Sequence, residues 1–310
     1  MSTRAWALFA SVSVIWGMPY LFIKIAVDEI SPSVVAWSRL AIAAAVLLPV
    51  AWKLGALSGL RERWRTIAVF AAVEMAVPWP LIGYGEVHVS SSLTAILIAA
   101  VPLFVALLAT RFDHAERPTP TRLTGMLIGI AGVVALVGID IGGQGDELLG
   151  AVAILFSAFL YAVGPMIVKR RLSDVDPIGP VAASLGVATL LVTPFALADV
   201  PESVPSADTL ASVAVLGLFC SALAFLFFFR LIAEIGPGRA TVITYVNPVV
   251  ALALGVAVLD ESVTAGVVVG LLLIVAGSWL STDGRVPPGL AALADRLRGR
   301  PRARGSEAPG

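Results

Sequence analysis

The chain has 310 residues with 21 acidic and 21 basic side chains, and 58% of its residues are hydrophobic. Charged residues make up 14% of the chain, against roughly 25% in a soluble domain, so a surface covered mainly by water is excluded. The zero net charge points to no nucleic acid or other strongly charged partner, and a single cysteine, Cys220, excludes an internal disulfide or a cysteine metal site.

Ten apolar runs are each long enough to cross a bilayer, which takes about 20 residues of helix. The chain lacks the alternating pattern of a membrane barrel, so the sequence predicts an all-α integral membrane protein. The first run ends in Asp28-Glu29 rather than in a cleavage site and is interpreted as a retained helix. The predicted spans are 5–27, 33–52, 66–87, 91–111, 121–139, 148–168, 178–198, 209–231, 238–259 and 263–281.

In the first span, Trp16 and Tyr20 are four residues apart and share one helix face. Aromatic residues at the membrane interfaces normally form belts, but Trp16 lies near the middle of the span. Both rings are therefore candidates for a cavity wall, with a membrane belt as the alternative. Lys24 lies near the end of the helix, where we expect its amine to extend to the interface. In the second span, Arg39 is a candidate to pair with Glu86 or Asp28-Glu29, or to attract a substrate carboxylate.

Glu74 lies near the middle of the third span, where a carboxylate is costly and is a functional hypothesis by default. Burial would favour its neutral form, so Glu74 is a candidate to take up and release a proton during transport. The alternative is a hydrogen-bonded carboxyl that joins two helices. Trp79 follows between two prolines, which break helices and free carbonyls that can line a cavity. A bend there would bring Glu74 and Trp79 to the same cavity; the alternative is a static kink.

The second half of the chain adds three candidates. Tyr161 in the sixth span is a further aromatic candidate for the cavity wall. In the ninth span, Tyr245 and Asn247 precede Pro248, and Asn247 offers both a donor and an acceptor to a zwitterionic or amide-bearing ligand. Asn247 is equally suited to bonding the carbonyls that Pro248 leaves free. The Arg-, Gly- and Pro-rich segment 282–310 is interpreted as a disordered cytoplasmic tail.

Positive charge is distributed on one side of the predicted spans. Apart from Lys24 and Arg39, every lysine and arginine lies at a terminus or in or beside an alternate connection, while the other connections are acidic. By the positive-inside rule, both termini are predicted to be cytoplasmic.

The two halves repeat at an offset of about 145 residues. The segments 5–139 and 148–281 each hold five helices, an odd number, so the second must be inverted relative to the first. Such repeats are typical of secondary transporters, although a duplicated fold without transport stays open. The matching pairs are Trp16 and Tyr161, Lys24 and Lys169, Pro32 and Pro177, Pro102 and Pro248, Glu116 and Glu261, Gly125 and Gly270, and Gly132 and Gly277.

The sequence resembles the drug/metabolite transporter superfamily, specifically proteins with two EamA-type domains. The segments that carry the resemblance run from Ile15-Trp16-Gly17 to Arg39, from Pro102 to Gly132, and from Gly236 through Asn247-Pro248 and Asp260-Glu261 to Gly277. The resemblance implies a basket of ten helices around a central cavity. It also implies export or exchange of small molecules such as amino acids, nucleobase-like metabolites or toxic compounds. We expect a multi-pass protein of a bacterial-type cytoplasmic (inner) membrane that exports small amino-acid-like or drug-like metabolites.

The sequence therefore predicts a secondary transporter, a monomer or homodimer without cofactor or metal, working by alternating access with protons as a candidate coupling ion. An uncoupled facilitator is the main alternative. A membrane-embedded enzyme acting on lipids is disfavoured, because the acidic connections contain no basic residue for phosphate chemistry.

Overall fold

The computed structural model describes residues 2–112, 119–140, 145–236 and 240–281, and within these ranges the regular structure is entirely helical. Nine helical runs in these ranges are long and apolar enough to cross a membrane, and the shorter Ala265–Ser281 completes the predicted ten. The nine are Thr3–Val27, Pro32–Lys53, Leu60–His88, Ser91–Ala109, Pro120–Gly138, Gly145–Arg171, Ile178–Ala198, Ala207–Ile235 and Val242–Leu259. The predicted tail 282–310 and the repeat residue Glu116 lie outside the described residues.

Local sequence explains where the spans begin and where several of them break. Serines accept hydrogen bonds from backbone amides at the beginning of several helices, as Ser31 does from Val34 N. Proline, which lacks an amide hydrogen, follows or lies beside several of the breaks inside spans. The resulting helices are α1 (Thr3–Gly17), α2 (Pro19–Val27), α3 (Pro32–Lys53), α4 (Trp64–Ala71), α5 (Pro78–His88), α6 (Ser91–Ile98), α7 (Val101–Phe112), α8 (Pro120–Asp140), α9 (Gly145–Arg171), α10 (Ile178–Ala198), α11 (Ala207–Gly217), α12 (Ala224–Ile235), α13 (Asn247–Leu259) and α14 (Ala265–Ser281).

The breaks fall at equivalent places in the two halves. A π-helical segment, Ala72–Ala76, joins α4 to α5, and another, Leu218–Leu223, joins α11 to α12. The break between α6 and α7 precedes Pro102, and a 3₁₀ segment, Thr241–Tyr245, precedes Pro248. The backbone therefore repeats its irregularities as well as its helices.

Equivalent helices of the two halves pack against each other in antiparallel pairs. In the pair of α8 with α14, Gly125 meets Ser281, and the equivalent residues of the other half, Gly270 and Leu136, meet in the same way. A Cβ atom on Gly125 would lie 2.8 Å from the Gly277 carbonyl oxygen, so these backbones approach as closely as glycine allows. Antiparallel packing of equivalent helices requires an axis perpendicular to them, which confirms the predicted inversion.

Contacts between connections define two sides of the molecule. On the basic side, Arg63 donates to both oxygens of Asp174 at 2.6 and 2.5 Å, and this guanidinium lowers the pKa of Asp174 below its usual value. On the acidic side, Glu29 accepts from Ser206 N at 2.8 Å, and Ser33 donates to Asp199 at 2.8 Å. The structure thus groups the connections as their charge predicted, and the assignment of the basic side to the cytoplasm stays a prediction.

Large apolar side chains cover the outside of the helices. On α8, exposed apolar residues recur every three or four positions, which gives one continuous apolar face. These residues are Leu123, Leu127, Ile130 and Val134. Such a face suits lipid, in agreement with the low content of charged residues.

Candidate substrate cavity

A cavity of about 670 Å³ lies between the two repeats, near the middle of the spans. All eight residues selected from the sequence line this cavity, although they come from five different spans. They are Trp16, Tyr20, Arg39, Glu74, Trp79, Tyr161, Tyr245 and Asn247. Their roles remain predictions, but their convergence on one space is a structural observation.

The cavity extends from the middle of the spans to the basic side. Its wall includes Ala109 near the end of α7, Arg122 near the beginning of α8 and Ser281 at the end of α14. Its deep end is formed by Ile23 and Ile82. Beyond that end, an apolar cluster fills the space toward the acidic side, and its buried members are Ile23, Ala26, Ile30, Val35, Ile82, Val213, Leu216 and Cys220. The structure is therefore closed on the acidic side.

Glu74 lies within the π-helical segment Ala72–Ala76, where Val77 N donates to Ala72 O at 3.0 Å across the wider turn. Its carboxyl group packs against Gly164 of α9, where there is no room for a Cβ atom. The Oε2 atom is buried and has no hydrogen-bond partner within the described part of the chain. A partner-free carboxyl in such surroundings is most easily held in its protonated form.

Arg39 is held by the opposite repeat and by an aromatic face. Its Nε donates to the Ser221 hydroxyl at 2.8 Å, and its guanidinium lies 3.8 Å from the centre of the Trp79 ring. The expected ion pair with Glu86 or with Asp28-Glu29 is not formed: the sequence prediction was wrong on this point, because a hydroxyl and a ring already hold the cation. Stacking on Trp79 fixes the guanidinium plane, so its donors are oriented before any ligand binds.

The remaining aromatic candidates build one wall. Trp16 packs against Phe228 in a tilted arrangement, with ring centres 4.7 Å apart, and meets Phe225 edge to face at 5.9 Å. Tyr161, the equivalent of Trp16 in the second repeat, interacts electrostatically with both Arg39 and Glu74. Tyr161 thus lines the same cavity as Arg39 and Glu74.

Asn247 and Tyr245 lie at the break before α13, and both side chains donate to backbone carbonyls. With its amide nitrogen turned toward them, Asn247 donates to Ile243 O at 2.9 Å and to Ser13 O at 3.1 Å. The Tyr245 hydroxyl donates to Ser278 O at 3.3 Å. These contacts favour the structural interpretation of Asn247 over a direct ligand contact by its amide nitrogen, although both side chains line the cavity.

Lys24 differs from its expected position at the interface. Its amine is partly buried and donates to Glu86 O at 2.6 Å and to Val89 O at 3.5 Å. These carbonyls end α5, where the negative end of the helix dipole attracts a cation. The lysine therefore joins α2 to α5 inside the protein.

Three residues of the site gave no clear signal in the sequence. Ser221 is one serine in an apolar run, and serine bonds its own helix too often to be informative alone. Phe225 and Phe228 belong to a phenylalanine-rich run that equally suits a lipid-facing surface. At an offset of about 146 residues, Phe225 is the equivalent of Trp79 in the second repeat. This aromatic match could have identified Phe225 as a candidate for the cavity wall.

The chain was compared with known proteins and structures. The EamA-like transporter family matches residues 4–138 and 148–282, which correspond to the two repeats. An uncharacterized transporter of Archaeoglobus fulgidus is 26% identical over 284 residues, covering 89% of this chain and 98% of that protein. The uncharacterized inner membrane transporter YedA of Escherichia coli K12 is 29% identical over 288 residues, with 88% and 91% covered.

A probable terminal-alkyne amino-acid exporter of Streptantibioticus cattleyicolor is 29% identical over 299 residues, covering 96% of this chain and 91% of that protein. A crystal structure with a TM-score of 0.65 covers 96% of this chain and 99% of its own, at 19% sequence identity. That structure supports the overall fold. The relatives, which are named as transporters, bear on the function.

Proposed function

Because the chain belongs to the EamA-like transporter family, we propose that it exports small amino-acid-like metabolites from the cytoplasm by alternating access around the cavity. The chain is a multi-pass membrane transporter rather than an enzyme. The direction, the substrate class, the coupling ion and the cytoplasmic (inner) membrane are the proposed parts.

The observation that carries this proposal is the placement of the buried Arg39, the acid Glu74 and an aromatic wall around one cavity. Its volume, about 670 Å³, is in the range of sites that enclose small molecules, roughly 300–1,000 Å³. Arg39 offers a fixed guanidinium fork to a carboxylate. Glu74 provides an acceptor for an ammonium group, and Trp16 with Phe228 provides an apolar surface for a side chain.

Energy coupling is assigned to Glu74. Its partner-free oxygen favours the protonated form when the cavity is empty, whereas a bound ammonium group favours the carboxylate. Binding of substrate and binding of a proton then compete for one group, which is the requirement for exchange of the two across a membrane. A substrate gradient alone would drive an uncoupled facilitator, and the assay below separates the two.

The test is a binding and transport assay with the purified full-length protein in proteoliposomes. A panel of radiolabelled amino acids, their decarboxylated amines and their deaminated acids is offered with and without a pH gradient. We expect binding of the zwitterions to exceed binding of either truncated analogue by tenfold or more. Equal binding of the amines and the zwitterions would remove Arg39 from substrate recognition.

Arg39→Lys provides the sharper version of this test, because lysine keeps the charge and loses the planar fork. We expect weaker binding of the zwitterions and unchanged binding of the amines. Arg61→Gln, at an exposed position on the basic side, serves as the control. Wild-type affinity of the Arg39→Lys protein for the zwitterions would contradict the proposed contact.

Loading of the open cavity from the cytoplasm requires the basic side to be cytoplasmic, which single cysteines can test in a Cys220→Ala background. Ser58 and Ser173 lie exposed on the basic side, and Ser203 lies exposed on the acidic side. An impermeant thiol reagent added to intact cells should label a cysteine at Ser203 and spare the other two. Labelling at Ser58 from outside would reverse the orientation and place the open end of the cavity at the outer surface.

A further inference from the structure

Beyond the closed end of the cavity lies a second buried carboxyl group that the proposed mechanism does not use. Glu86 is fully buried, and neither of its carboxyl oxygens has a hydrogen-bond partner among the described residues. It lies one helical turn beyond Ile82 on α5, and Lys24 lies one turn beyond Tyr20 on α2. Glu86 does not line the cavity and occupies the barrier between the cavity and the acidic side.

The charged groups around Glu86 come from several elements. Lys24 on α2, Arg39 on α3 and Glu261 before α14 all interact with it electrostatically, and Tyr20 on α2 does so as well. On α5 itself, His88 lies two residues further on, and α9 contributes Asp146 and Glu147 at its beginning. Arg39 donates a hydrogen bond to Ser221 and lies over the Trp79 ring. Glu261 accepts hydrogen bonds from Ser91 N and Ser92 N.

Lys24 is the cation within reach of Glu86, yet it bonds to the wrong oxygens for an ion pair. Its amine donates to the backbone carbonyls of Glu86 and Val89 and forms no ion pair with a carboxylate in the described ranges. An ionised Glu86 would be a buried charge without a hydrogen bond, which is strongly unfavourable. A neutral carboxyl next to a lysine that caps a helix end is consistent with the observed arrangement.

We propose that Glu86 is a second proton-binding site, which holds a proton while the acidic side is closed and exchanges it with the solution on that side. When α2 and α5 separate, the two Lys24 bonds to the α5 carbonyls break. The O–H bond of the Glu86 carboxyl then breaks, its proton passes to water on the acidic side, and Lys24 pairs with the resulting carboxylate. Closure reverses each step, and a proton from that water returns to the carboxyl oxygen.

The protonation state can be measured without any substrate. Infrared difference spectra of the full-length protein in phosphatidylglycerol nanodiscs report protonated carboxyl groups through their carbonyl stretch. We compare Glu74→Gln with the double variant that also carries Glu86→Gln, so that the cavity acid does not contribute. The proposal expects an acid band at neutral pH that disappears in the double variant; identical spectra would overturn it.

The link to opening is measured with a cysteine at Ile30, which is buried in the apolar cluster on the acidic side, in a Cys220→Ala background. Labelling by an impermeant thiol reagent reports opening of that side. Glu86→Gln keeps the neutral state and gives Lys24 no carboxylate, so labelling should slow roughly tenfold. Glu202→Gln, an exposed acidic-side variant, should label at the wild-type rate.

Unchanged labelling in Glu86→Gln would overturn the switch. If Glu86→Gln does not assemble, Glu86→Asp replaces it, and the acid band should then shift in frequency rather than disappear. An unshifted band would again overturn the proposal. Since neither readout uses a transported molecule, a wrong substrate class or a wrong role for Glu74 leaves this test intact.

Discussion

The two π-helical segments hold equivalent positions in the repeats and carry different chemistry. In the first, Ala72–Ala76, an acid packs against a glycine of the other half. In the second, Leu218–Leu223, the Ser221 hydroxyl accepts a hydrogen bond from Arg39 of the other half. Each segment therefore places a polar group of one repeat against the opposite repeat. The π-helical segment thus occurs once in each repeat. The side chains that differ between the two segments place an acid in one part of the cavity and help to hold a cation in another.

The two segments are also stabilised differently. In the first, Pro78 has no amide hydrogen, and the preceding Val77 N reaches back five residues to Ala72 O. In the second, no proline is present, and the Ser221 hydroxyl donates to Leu216 O at 2.9 Å. Wider turns of this kind often occur at functional sites, because one residue is displaced out of the regular helix. The two segments therefore share their geometry but not its local cause.

Glu74→Gln provides the strongest test of the difference between the segments. Glutamine keeps the size and much of the hydrogen bonding but cannot titrate, so we expect accumulation driven by a pH gradient to be abolished in proteoliposomes. Expression should stay normal, and downhill counterflow should continue. Glu202→Gln is the control on an exposed connection. Normal gradient-driven accumulation by Glu74→Gln would show that the acidic segment is structural, and Glu74→Leu would then be expected to destabilise the protein.

Gly164→Ala tests the same segment from the other repeat. A Cβ atom at this position would collide with the Glu74 carboxyl, which must move away. Overpacking of this kind costs typically about 1–3 kcal/mol, so we expect transport to fall about tenfold together with a lower melting temperature. Gly138→Ala is the matched control, because a Cβ atom there would meet no neighbour within 4 Å. Equal transport by the two variants would mean that the position of the carboxyl is unimportant.

Ser221→Ala tests the cationic segment and should have a smaller effect. It removes one hydrogen bond to Arg39 and leaves the stacking on Trp79 intact. A hydrogen bond to a charged group contributes about 1.5 kcal/mol at the low end of its range, which corresponds to roughly tenfold. Because the contact with Trp79 still holds the guanidinium, we expect binding of zwitterions to weaken by less than this. The pH dependence of transport should stay unchanged, since the acid is in the other segment. Ser184→Ala, at the position equivalent to Arg39, is the control.

Asp174→Asn should have the smallest effect and sets the scale for the buried variants. The pair of Asp174 with Arg63 is exposed, and such pairs contribute little. The pair lowers the pKa of Asp174 in the folded state, so its stabilisation is complete above the unfolded value of about 3.9 and is lost as the pH falls further. Melting temperatures of the variant and the wild type should differ slightly at pH 7 and converge in acid. A large difference at pH 7 would show that this exposed contact stabilises the protein far more than such pairs usually do.

The ten spans could be predicted from their apolar length, and the inversion from the odd number of helices in each repeat. The cavity residues could be predicted because polar and aromatic side chains are conspicuous in the middle of apolar runs. A glutamate or arginine inside an apolar run is expensive enough to be conspicuous, as Glu74 and Arg39 are. The partners of these residues left no such signal. A serine such as Ser221 is easily accommodated in any helix, so it does not stand out in the sequence. The amine of Lys24 bonds to backbone carbonyls, and every residue has such a carbonyl whatever its side chain. The π-helical turns depend on one extra residue per turn, and composition does not record that.

The glycine contacts between α8 and α14 have a mechanical consequence. Their backbones touch without an intervening layer of side chains, so sliding would produce collisions and separation would leave a void. We therefore expect α8 and α14 to keep their mutual packing while other helices move. If the acidic side opens as proposed, the remaining helices would rotate relative to this pair, and the extent of that rotation would set the width of the opening.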